Sequence, residues 1–305
     1  MRGVSSYRKR KKTQFSNSNR ISEENQIMKL HSSNVSLVCR ALALAVLLLT
    51  GSAVFAQDKK VRKTWSFCDS NNYSYNNRIS FKEMRETTVR AGSLLEVDGK
   101  RNGGVQVKGE DRSDVLVRAC IQATGTTEQE AQALAKNVRI ETSPNIRAEN
   151  SGDEAGWAVS YEILVPRSTN LKLLTHNGGI SIDSVDGTLE FEAHNGGINL
   201  VDVAGDVKGK TTNGGVNVKL SGNSWKGTGL DVETKNGGVN LTLSETYAAR
   251  IETGTINGGF KSDIAALNTE RNERTRGIRL NTELNGGGAP VRIITTNGGV
   301  RINSN

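Results

Sequence analysis

Two histidines are the first candidates for chemistry in this sequence. After residue 56 the chain has only His176 and His194, 18 residues apart, and each directly precedes the tripeptide Asn-Gly-Gly. If the two side chains lie on adjacent strands they can share a metal ion, but a zinc site needs three or four ligands. Thr212 and Lys235 stand at the same place before later copies of the tripeptide. We therefore predict two solvent-facing side chains and no metal site.

Carboxylates are the second candidates, because enzymes that cleave polysaccharides use clusters of them, often with calcium. Acidic residues in the C-terminal half are interleaved with lysines, which indicates charge pairing between strands; the set is Glu190, Glu192, Lys208, Lys210, Asp231 and Glu233. The sequence has no Gly-x-Ser-x-Gly, no Walker loop and no His-Glu-x-x-His. It predicts no catalytic residue and no cofactor, with a polysaccharide lyase or hydrolase as the enzymatic alternative.

Aromatic side chains are the third candidates, since they can form a platform for sugar rings. Trp225 lies in an insertion, Ser221 to Gly229, and insertions in repeat proteins often reach a binding face. The other tryptophans are Trp65 and Trp157. A packed or merely exposed Trp225 is the favoured interpretation, and a sugar platform is the alternative.

The N-terminal region predicts export. A basic residue, Arg40, precedes the apolar run ALALAVLLL, and small residues follow at the positions of a cleavage site. We predict a signal peptide over 28–56 with cleavage after Ala56; an uncleaved signal anchor is the alternative. Residues 1–27 are a polar basic extension, and a true start at Met28 rather than Met1 explains them better than a nucleic-acid patch does.

Charge and cysteine content agree with export. Residues 1–56 hold nine Lys/Arg and two Asp/Glu, which leaves 31 basic and 30 acidic residues in 57–305. This balanced portion indicates no nucleic-acid partner, and it contains no candidate transmembrane span. It keeps two cysteines, Cys68 and Cys120. An even pair in an oxidising compartment predicts a disulfide, and two buried free thiols are the alternative.

The segment 57–165 is predicted to be a β-rich module with one short helix. Apolar residues alternate over 115–121, 138–142 and 157–165, which indicates strands. Thr127 and Glu130 have capping-box spacing, and Ala131, Leu134 and Ala135 share one helical face, so a helix is expected at about 127–137.

From 166 to 305 the sequence repeats with a period near 20, which indicates a repeat architecture. The repeated corner is Asn-Gly-Gly, with spacings of 18, 18, 23, 21 and 40 residues. We predict structural turns in which Asn and Gly supply positive φ. The turn residues are Asn177, Gly178, Gly179, Asn195, Gly196, Gly197, Asn213, Gly214, Gly215, Asn236, Gly237, Gly238, Asn257, Gly258, Gly259, Asn297, Gly298 and Gly299, and Asn285-Gly286-Gly287 is a degenerate copy.

Two all-β folds fit this unit: an antiparallel meander of hairpins and a parallel β-solenoid with one coil per repeat. The polar positions favour the solenoid. Five residues before each Asn the repeats show Lys172, Glu190, Lys208 and Asp231, an alternation that Glu252 interrupts. Stacking at about 4.8 Å makes alternating charges attract.

The run LLTHNGGISIDSVDGTLEFEAHNGGINLVDVAGDVKGKTTNGGVNVKL resembles the bacterial putative-adhesin domains, a family of unknown function. The helical segment TTEQEAQALAKNVRI and the strand AVSYEILVPRSTNLKLLT fit the same family, and the resemblance covers about 90–305. It implies a β-solenoid and an envelope or surface location. It brings no ligand and no catalytic residue.

The sequence therefore predicts an exported, non-catalytic adhesive or structural interaction module of the periplasm, cell surface or extracellular space. Its partner would be a protein or glycan surface. A self-assembling scaffold is a further alternative, because the final Asn-Gly-Gly repeat runs almost to the C-terminus and leaves a strand edge uncapped.

Overall fold

The computed structural model describes residues 67–68, 78–152, 155–268 and 277–305. The predicted basic extension (1–27), the predicted signal peptide (28–56) with its cleavage site after Ala56, and Trp65 lie outside these ranges.

The described residues form twenty strands, one α-helix, α1 (Glu128–Asn137), and one 3-10 helix (Ala265–Leu267). The strands are β1 (Ile79–Arg90), β2 (Leu95–Asp98), β3 (Val105–Glu110), β4 (Asp114–Gly125), β5 (Val138–Glu141), β6 (Ile146–Asn150), β7 (Trp157–Pro166), β8 (Leu171–Thr175), β9 (Ile180–Asp183), β10 (Asp186–Ala193), β11 (Ile198–Val201), β12 (Ala204–Asn213), β13 (Val216–Lys219), β14 (Gly229–Asn236), β15 (Val239–Leu243), β16 (Ala249–Asn257), β17 (Phe260–Ser262), β18 (Ile278–Leu284), β19 (Pro290–Asn297) and β20 (Val300–Ser304).

The strands make two sheets that share one core. Sheet A has the order β1-β4-β7-β3-β9-β11-β13-β15-β20-β17, and sheet B has the order β18-β16-β19-β14-β12-β10-β8-β2-β6-β5. A rung is one strand of sheet B, an Asn-Gly-Gly corner and one strand of sheet A. In stacking order the seven rungs are β2/β3, β8/β9, β10/β11, β12/β13, β14/β15, β19/β20 and β16/β17.

Successive rungs pair in parallel and in register on both sheets. Leu189 of β10 lies opposite Leu171 on one side and Val207 on the other. Ile198 of β11 lies likewise between Ile180 and Val216. The predicted all-β parallel solenoid is therefore confirmed, and the meander is excluded.

The period-two pattern explains which face is buried. In β10 the side chains of Leu189, Phe191 and Ala193 are buried, whereas Glu190 and Glu192 between them are exposed. Apolar inward columns from both sheets meet in one continuous core. Hydrophobic burial on that scale is the main source of stability for the stack.

The N-terminal module joins the same two sheets. Its strands β2 and β3 form the first rung, with a corner at Asn102, and they pair in parallel with β8 and β9. Strand β7 pairs in parallel with β3, and β4 and β1 then extend sheet A in antiparallel fashion. The predicted boundary at 165/166 therefore does not separate two sheets, and Trp65–Asn305 forms a single compact unit.

Helix α1 begins where the sequence predicts. The Thr127 hydroxyl accepts a hydrogen bond from the backbone N–H of Glu130 (3.2 Å). The Glu130 carboxylate accepts from the N–H of Thr126 (2.8 Å), one residue earlier than a standard capping box requires. The Thr126 hydroxyl also donates to this carboxylate, and the hydroxyl and then the backbone N–H of Thr126 lower the pKa of the exposed Glu130 carboxyl.

The final repeat does not lie at the end of the stack. Strand β19 inserts between β14 and β16, and β20 inserts between β15 and β17. The uncapped edge predicted for the last repeat is therefore wrong, since both of its strands have neighbours on both sides. Asn285 is not a corner of the stack either: it has a positive φ of 49° and connects β18 to β19.

Candidate functional site

The corners of the solenoid need glycine for a steric reason. A Cβ added to Gly196 would overlap the carbonyl of Gly178 on the preceding rung, and Gly214 stands in the same relation to Gly196. A Cβ on the second glycine, Gly215, would lie 3.4 Å from the carbonyl oxygen of Gly238, an ordinary contact. No Asn or Gly of the seven corners has a positive φ. The predicted explanation by positive φ is wrong, and close approach between rungs is the cause.

The side-chain amides of the corners form a ladder along the stack. Nδ2 of Asn195 donates to Oδ1 of Asn177 (2.8 Å), and Nδ2 of Asn213 donates to Oδ1 of Asn195 (2.7 Å). Six such bonds join seven exposed amides, in the order Asn102, Asn177, Asn195, Asn213, Asn236, Asn297 and Asn257. An amide has two N–H groups and two acceptor lone pairs, so each interior link retains one of each for a ligand.

Threonines fix the corners from inside the core. The hydroxyls of Thr211, Thr234 and Thr295 each donate to the carbonyl of the first corner glycine on the preceding rung, at 2.7 Å. Thr255 holds the same position on the last rung, and its buried hydroxyl has no hydrogen bond among the described residues. These hydrogen bonds join three of the six successive pairs of rungs at their corners.

The outer face of sheet A carries a second polar column, with one residue per rung. In stacking order it consists of Gln106, Ser181, Asn199, Asn217, Asn240, Arg301 and Lys261. Asn199 donates to the Ser181 hydroxyl (3.1 Å), and Asn240 donates to Oδ1 of Asn217 (2.8 Å). We call the surface formed by this column and the corner asparagines the amide face. It is uncharged over the first five rungs and becomes cationic on the last two.

A groove of about 670 Å³ lies on the amide face. Its walls come from the two polar columns, and corner glycines such as Gly179 and Gly197 contribute to its floor. None of the described residues that line it is Asp, Glu, Lys, Arg or His. Charged residues make up 24% of the chain, so an uncharged surface of this size is a distinctive feature of the fold.

A disulfide between Cys68 and Cys120 borders one side of this groove. Their Cα atoms are 5.2 Å apart, and the bond holds the segment 67–68 against the outer face of β4. The half-buried side chain of Phe67 thereby joins the groove lining beside Gln122, which is only 8% exposed. The Lys82 ammonium donates to the Cys68 carbonyl (3.2 Å). The structure thus joins the predicted cysteine pair.

The outer face of sheet B has the opposite character, and we call it the charged face. Its main column alternates in sign through all seven rungs: Glu96, Lys172, Glu190, Lys208, Asp231, Arg292 and Glu252. Arg292 bonds Asp231 and lies 3.6 Å from Glu252. The interruption predicted at Glu252 is therefore wrong, because the inserted strand β19 supplies the missing cation.

A second column of the charged face is paired in the same way. Lys210 lies 3.3 Å from Glu192, and Arg292 lies 3.8 Å from Glu233. These carboxylates have cations as immediate neighbours and surround a depression of about 390 Å³. Partly exposed ion pairs contribute little stability each. Their main effect is to place an opposite charge beside each of these carboxylates.

A family match now identifies the fold. The family described as Toastrack DUF4097 matches residues 82–303. The chain belongs to the Toastrack family. This bears out the resemblance to adhesin-like domains of unknown function, and the match spans the N-terminal module as well as the repeats.

Solved structures of similar fold cover most of this Toastrack chain. A putative cell adhesion protein from Clostridium sporogenes is 13% identical, with a TM-score of 0.38, over 74% of this chain and 100% of that one. A putative adhesin from Bacteroides fragilis is 9% identical, with a TM-score of 0.25, over 74% and 97%. A putative lipid binding protein from Parabacteroides distasonis is 11% identical, with a TM-score of 0.25, over 73% and 96%. No curated protein matches the chain.

The histidines of the Toastrack chain stack on adjacent rungs. The rings of His176 and His194 are 4.7 Å apart between centroids and lie within 8° of parallel. Ring nitrogens have their lone pairs in the ring plane, so two parallel rings do not direct them at a common point. Among the described residues, no group of three or more His, Cys, Asp or Glu is placed to hold a metal ion.

Trp225 does not form a sugar platform, the alternative that the sequence left open. Its side chain is 7% exposed, and its indole N–H donates to the Gly205 carbonyl (3.1 Å). The inserted loop therefore contributes to the core, and that hypothesis is wrong. Trp157 is half-buried. Within the described ranges, no helix is long and apolar enough to cross a membrane.

Sequence reasoning missed the amide face, although a signal for it was present. Three corners are followed by a further asparagine four residues after the first, at Asn199, Asn217 and Asn240. In a stack with constant register these residues must form their own column. The pattern predicts this column only if every Asn-Gly-Gly corner occupies the same position in its rung.

Proposed function

We propose that the protein is an exported, non-catalytic interaction module that binds its partner through the amide face. The observation that carries this proposal is the uncharged groove of about 670 Å³, framed by side chains that recur at one position per rung. Convergent polar groups on a rigid, concave surface are what binding sites require. The Thr and Asn ladders supply the rigidity.

The charged face supports the non-catalytic part of the proposal. A glycosidase needs one carboxyl group held as an acid and another held as a base or nucleophile. The acidic side chains of this face alternate with cations on neighbouring strands, so each carboxylate has a cation rather than a second carboxyl group as its neighbour across the strands. This pattern is explained by strand pairing alone.

Export is supported by the signal-like pattern over 28–56 and by the disulfide, which persists in oxidising compartments. A tagged version should appear in the periplasmic, surface or extracellular fraction, and its N-terminal residue should be Gln57. A cytoplasmic protein that retains residues 28–56 would contradict this part of the proposal.

The binding role is tested with the purified protein and envelope preparations of the producing cells. We expect the protein to sediment with envelope material. We expect Asn199→Asp with Asn217→Asp to abolish this, and Lys172→Gln on the charged face to leave it unchanged. Loss of sedimentation in the charged-face variant alone would shift the function to sheet B.

The enzymatic alternative is tested on the same material. Incubation with a panel of neutral and acidic polysaccharides, with and without calcium, should release no product. A reducing end or an unsaturated sugar would contradict the non-catalytic role. Self-association is tested by light scattering at high protein concentration, where a single monomeric mass would count against a self-assembling scaffold.

A further inference from the structure

We propose that the groove of the amide face binds an uncharged polysaccharide, whose chain lies along the stacking direction. This inference rests on the proposed interaction function and names its ligand. It follows from the charge, the hydrogen-bonding capacity and the shape of the groove, taken in that order.

The charge of the lining selects a neutral ligand. Nucleic acids and acidic polysaccharides are bound through arginine and lysine, and their affinity depends on those contacts. None of the described residues that line the groove is a cation, and Arg301 and Lys261 join its column only on the last two rungs. Burying a phosphate, sulfate or carboxylate against uncharged amides would leave its charge unpaired, which is costly.

The hydrogen-bonding groups select a ligand rich in hydroxyls. The interior corner amide in the lining, that of Asn177, retains one N–H and one lone pair after its ladder bonds are made. Ser160 and Ser181 add hydroxyls that can both donate and accept. A sugar hydroxyl also donates and accepts, so it can satisfy both halves of such a surface at once.

The repetition of the groove selects a polymer over a single sugar. A polar side chain of the second column returns at each rung that lines the groove, as Gln106, Ser181, Asn199 and Asn217, at a spacing of about 4.8 Å. At one end of this series Phe67 adds an aromatic ring, held in place by the disulfide at Cys68. Aromatic rings supply a large contact area to ligands that have one apolar side and one polar side, as sugar rings do.

A peptide fits this surface less well. Extended peptides bind sheets by adding a strand to a free edge, but β3, β9, β11 and β13 beneath the groove each have a neighbour on both sides. Phe67 is the sole aromatic residue among the described lining apart from Tyr161, which points into the core and is 1% exposed. The face offers no set of pockets for peptide side chains.

The test is affinity electrophoresis of the purified protein in gels that contain soluble uncharged polysaccharides: a glucan, a mannan, a galactan and a water-soluble chitin derivative. Acidic polysaccharides and an unrelated peptide library serve as comparisons. We expect retention by at least one uncharged polymer. Because few ionic contacts are involved, raising the salt from about 50 to about 500 mM should change that retention less than about twofold.

Three variants assign the retention to the groove. Asn199→Asp and Asn217→Asp keep the shape but replace a donor with a charge, and each should weaken retention about tenfold. Phe67→Ala should weaken it without changing thermal unfolding. The matched control is Asn281→Asp on β18, an exposed asparagine of the other sheet, which should retain full binding.

Four results would overturn the inference: no retention by any uncharged polymer, equal retention of the groove variants, binding limited to acidic polymers and lost in salt, or selection of peptides instead. If envelope binding persists while the uncharged polymers fail, this inference falls and the interaction function stands. If the protein binds no envelope material, the proposed function itself falls. Circular dichroism of each variant shows that the loss of binding does not come from unfolding.

Discussion

The two outer faces of the solenoid follow the same geometry with different side chains. On the amide face, identical residues stack on one another: the seven corner positions are all asparagine. On the charged face, Glu96, Lys172, Glu190 and Lys208 succeed each other with strict alternation. Both columns belong to parallel strands in register, so each side chain meets its counterparts on the two neighbouring rungs.

The difference shows what a parallel stack requires of polar side chains. A side-chain amide is both a hydrogen-bond donor and an acceptor. The same residue can therefore occupy every rung, and each amide donates to one neighbour and accepts from the other. A charge can be stacked only on its opposite, because like charges directly across a strand pair repel. A column of amides can therefore be neutral at every rung, whereas a column of charged residues needs the opposite sign on each neighbouring rung.

The largest loss of stability is expected from a substitution at a corner, because each corner connects a strand of the amide face to a strand of the charged face. In Gly214→Ala the new Cβ would overlap the Gly196 carbonyl, so rungs 3 and 4 must separate and both sheets lose register. We expect a loss of about 3 kcal/mol in the free energy of unfolding. In the matched variant Gly215→Ala the Cβ has an ordinary 3.4 Å contact, and the loss should stay below about 1 kcal/mol. Urea unfolding of both variants measures the difference, and equal losses would contradict the steric role of the first glycine.

A smaller effect is expected from breaking the alternation of the charged face. Lys208→Glu places three acidic residues in succession, since its neighbours across the strands are Glu190 and Asp231. The cost should be about 1 kcal/mol at low salt. Salt screens exposed charges, and the Debye length is only about 3 Å at 1 M salt. The difference in unfolding free energy between the variant and the unmodified protein should therefore narrow at 1 M salt. A cost that does not respond to salt would show that shape rather than charge sets this column.

Removing an asparagine from the amide ladder should lower the free energy of unfolding by a similar or smaller amount, and this loss should not depend on salt. Asn213→Ala removes two ladder bonds, those to Asn195 and Asn236, whereas Asn257→Ala at the last rung removes one. We expect about 1 kcal/mol for the first and about half of that for the second, because exposed amides partly replace the bond with water. Chemical unfolding at low and high salt tests both points. Equal costs for the two variants, or a strong salt dependence, would remove the distinction between the faces.

Much of this fold was predictable because the strands keep their phase. The charge alternation in the sequence favours a solenoid over a meander, since only stacked rungs bring the alternating residues together. Those residues are Lys172, Glu190, Lys208 and Asp231. Helix α1 was predictable from local capping at Thr127. These features depend on neighbours in sequence or on a constant repeat phase, and both can be read directly from the residues.

The order of the last rungs was not predictable by the same means. Chain order places β16 after β14, but β19 lies between them, and no local pattern states where a returning strand inserts. The one available signal was electrostatic: Glu252 follows Asp231 with the same sign, which requires a cation between them, and Arg292 is that cation. The role of glycine at the corners was misread for a related reason. Close approach between rungs is a property of the stack, whereas φ is a property of the residue.

The smallest predicted effect concerns a charged residue on β1, the edge strand of sheet A, which lies outside the stacked rungs. On β1 the Glu83 carboxylate accepts a hydrogen bond from Arg85 (2.7 Å), and this bond lowers the pKa of Glu83 from its ordinary 4.5. A depressed pKa means that the ionised form stabilises the fold above the ordinary pKa, and that this contribution is lost as the pH falls through the lowered value.

Glu83→Gln should therefore be less stable than the unmodified protein at neutral pH, and the gap should close as the pH falls through the lowered pKa of Glu83. Solvent reaches both side chains, at 34% for Glu83 and 30% for Arg85, so the gap should be only on the order of a few tenths of a kcal/mol. Arg85 also donates to the Ala135 carbonyl at the end of helix α1 (3.0 Å). If that second contact holds the guanidinium by itself, the gap will be absent at every pH. In that case, the charges at the end of sheet A serve helix docking rather than strand pairing.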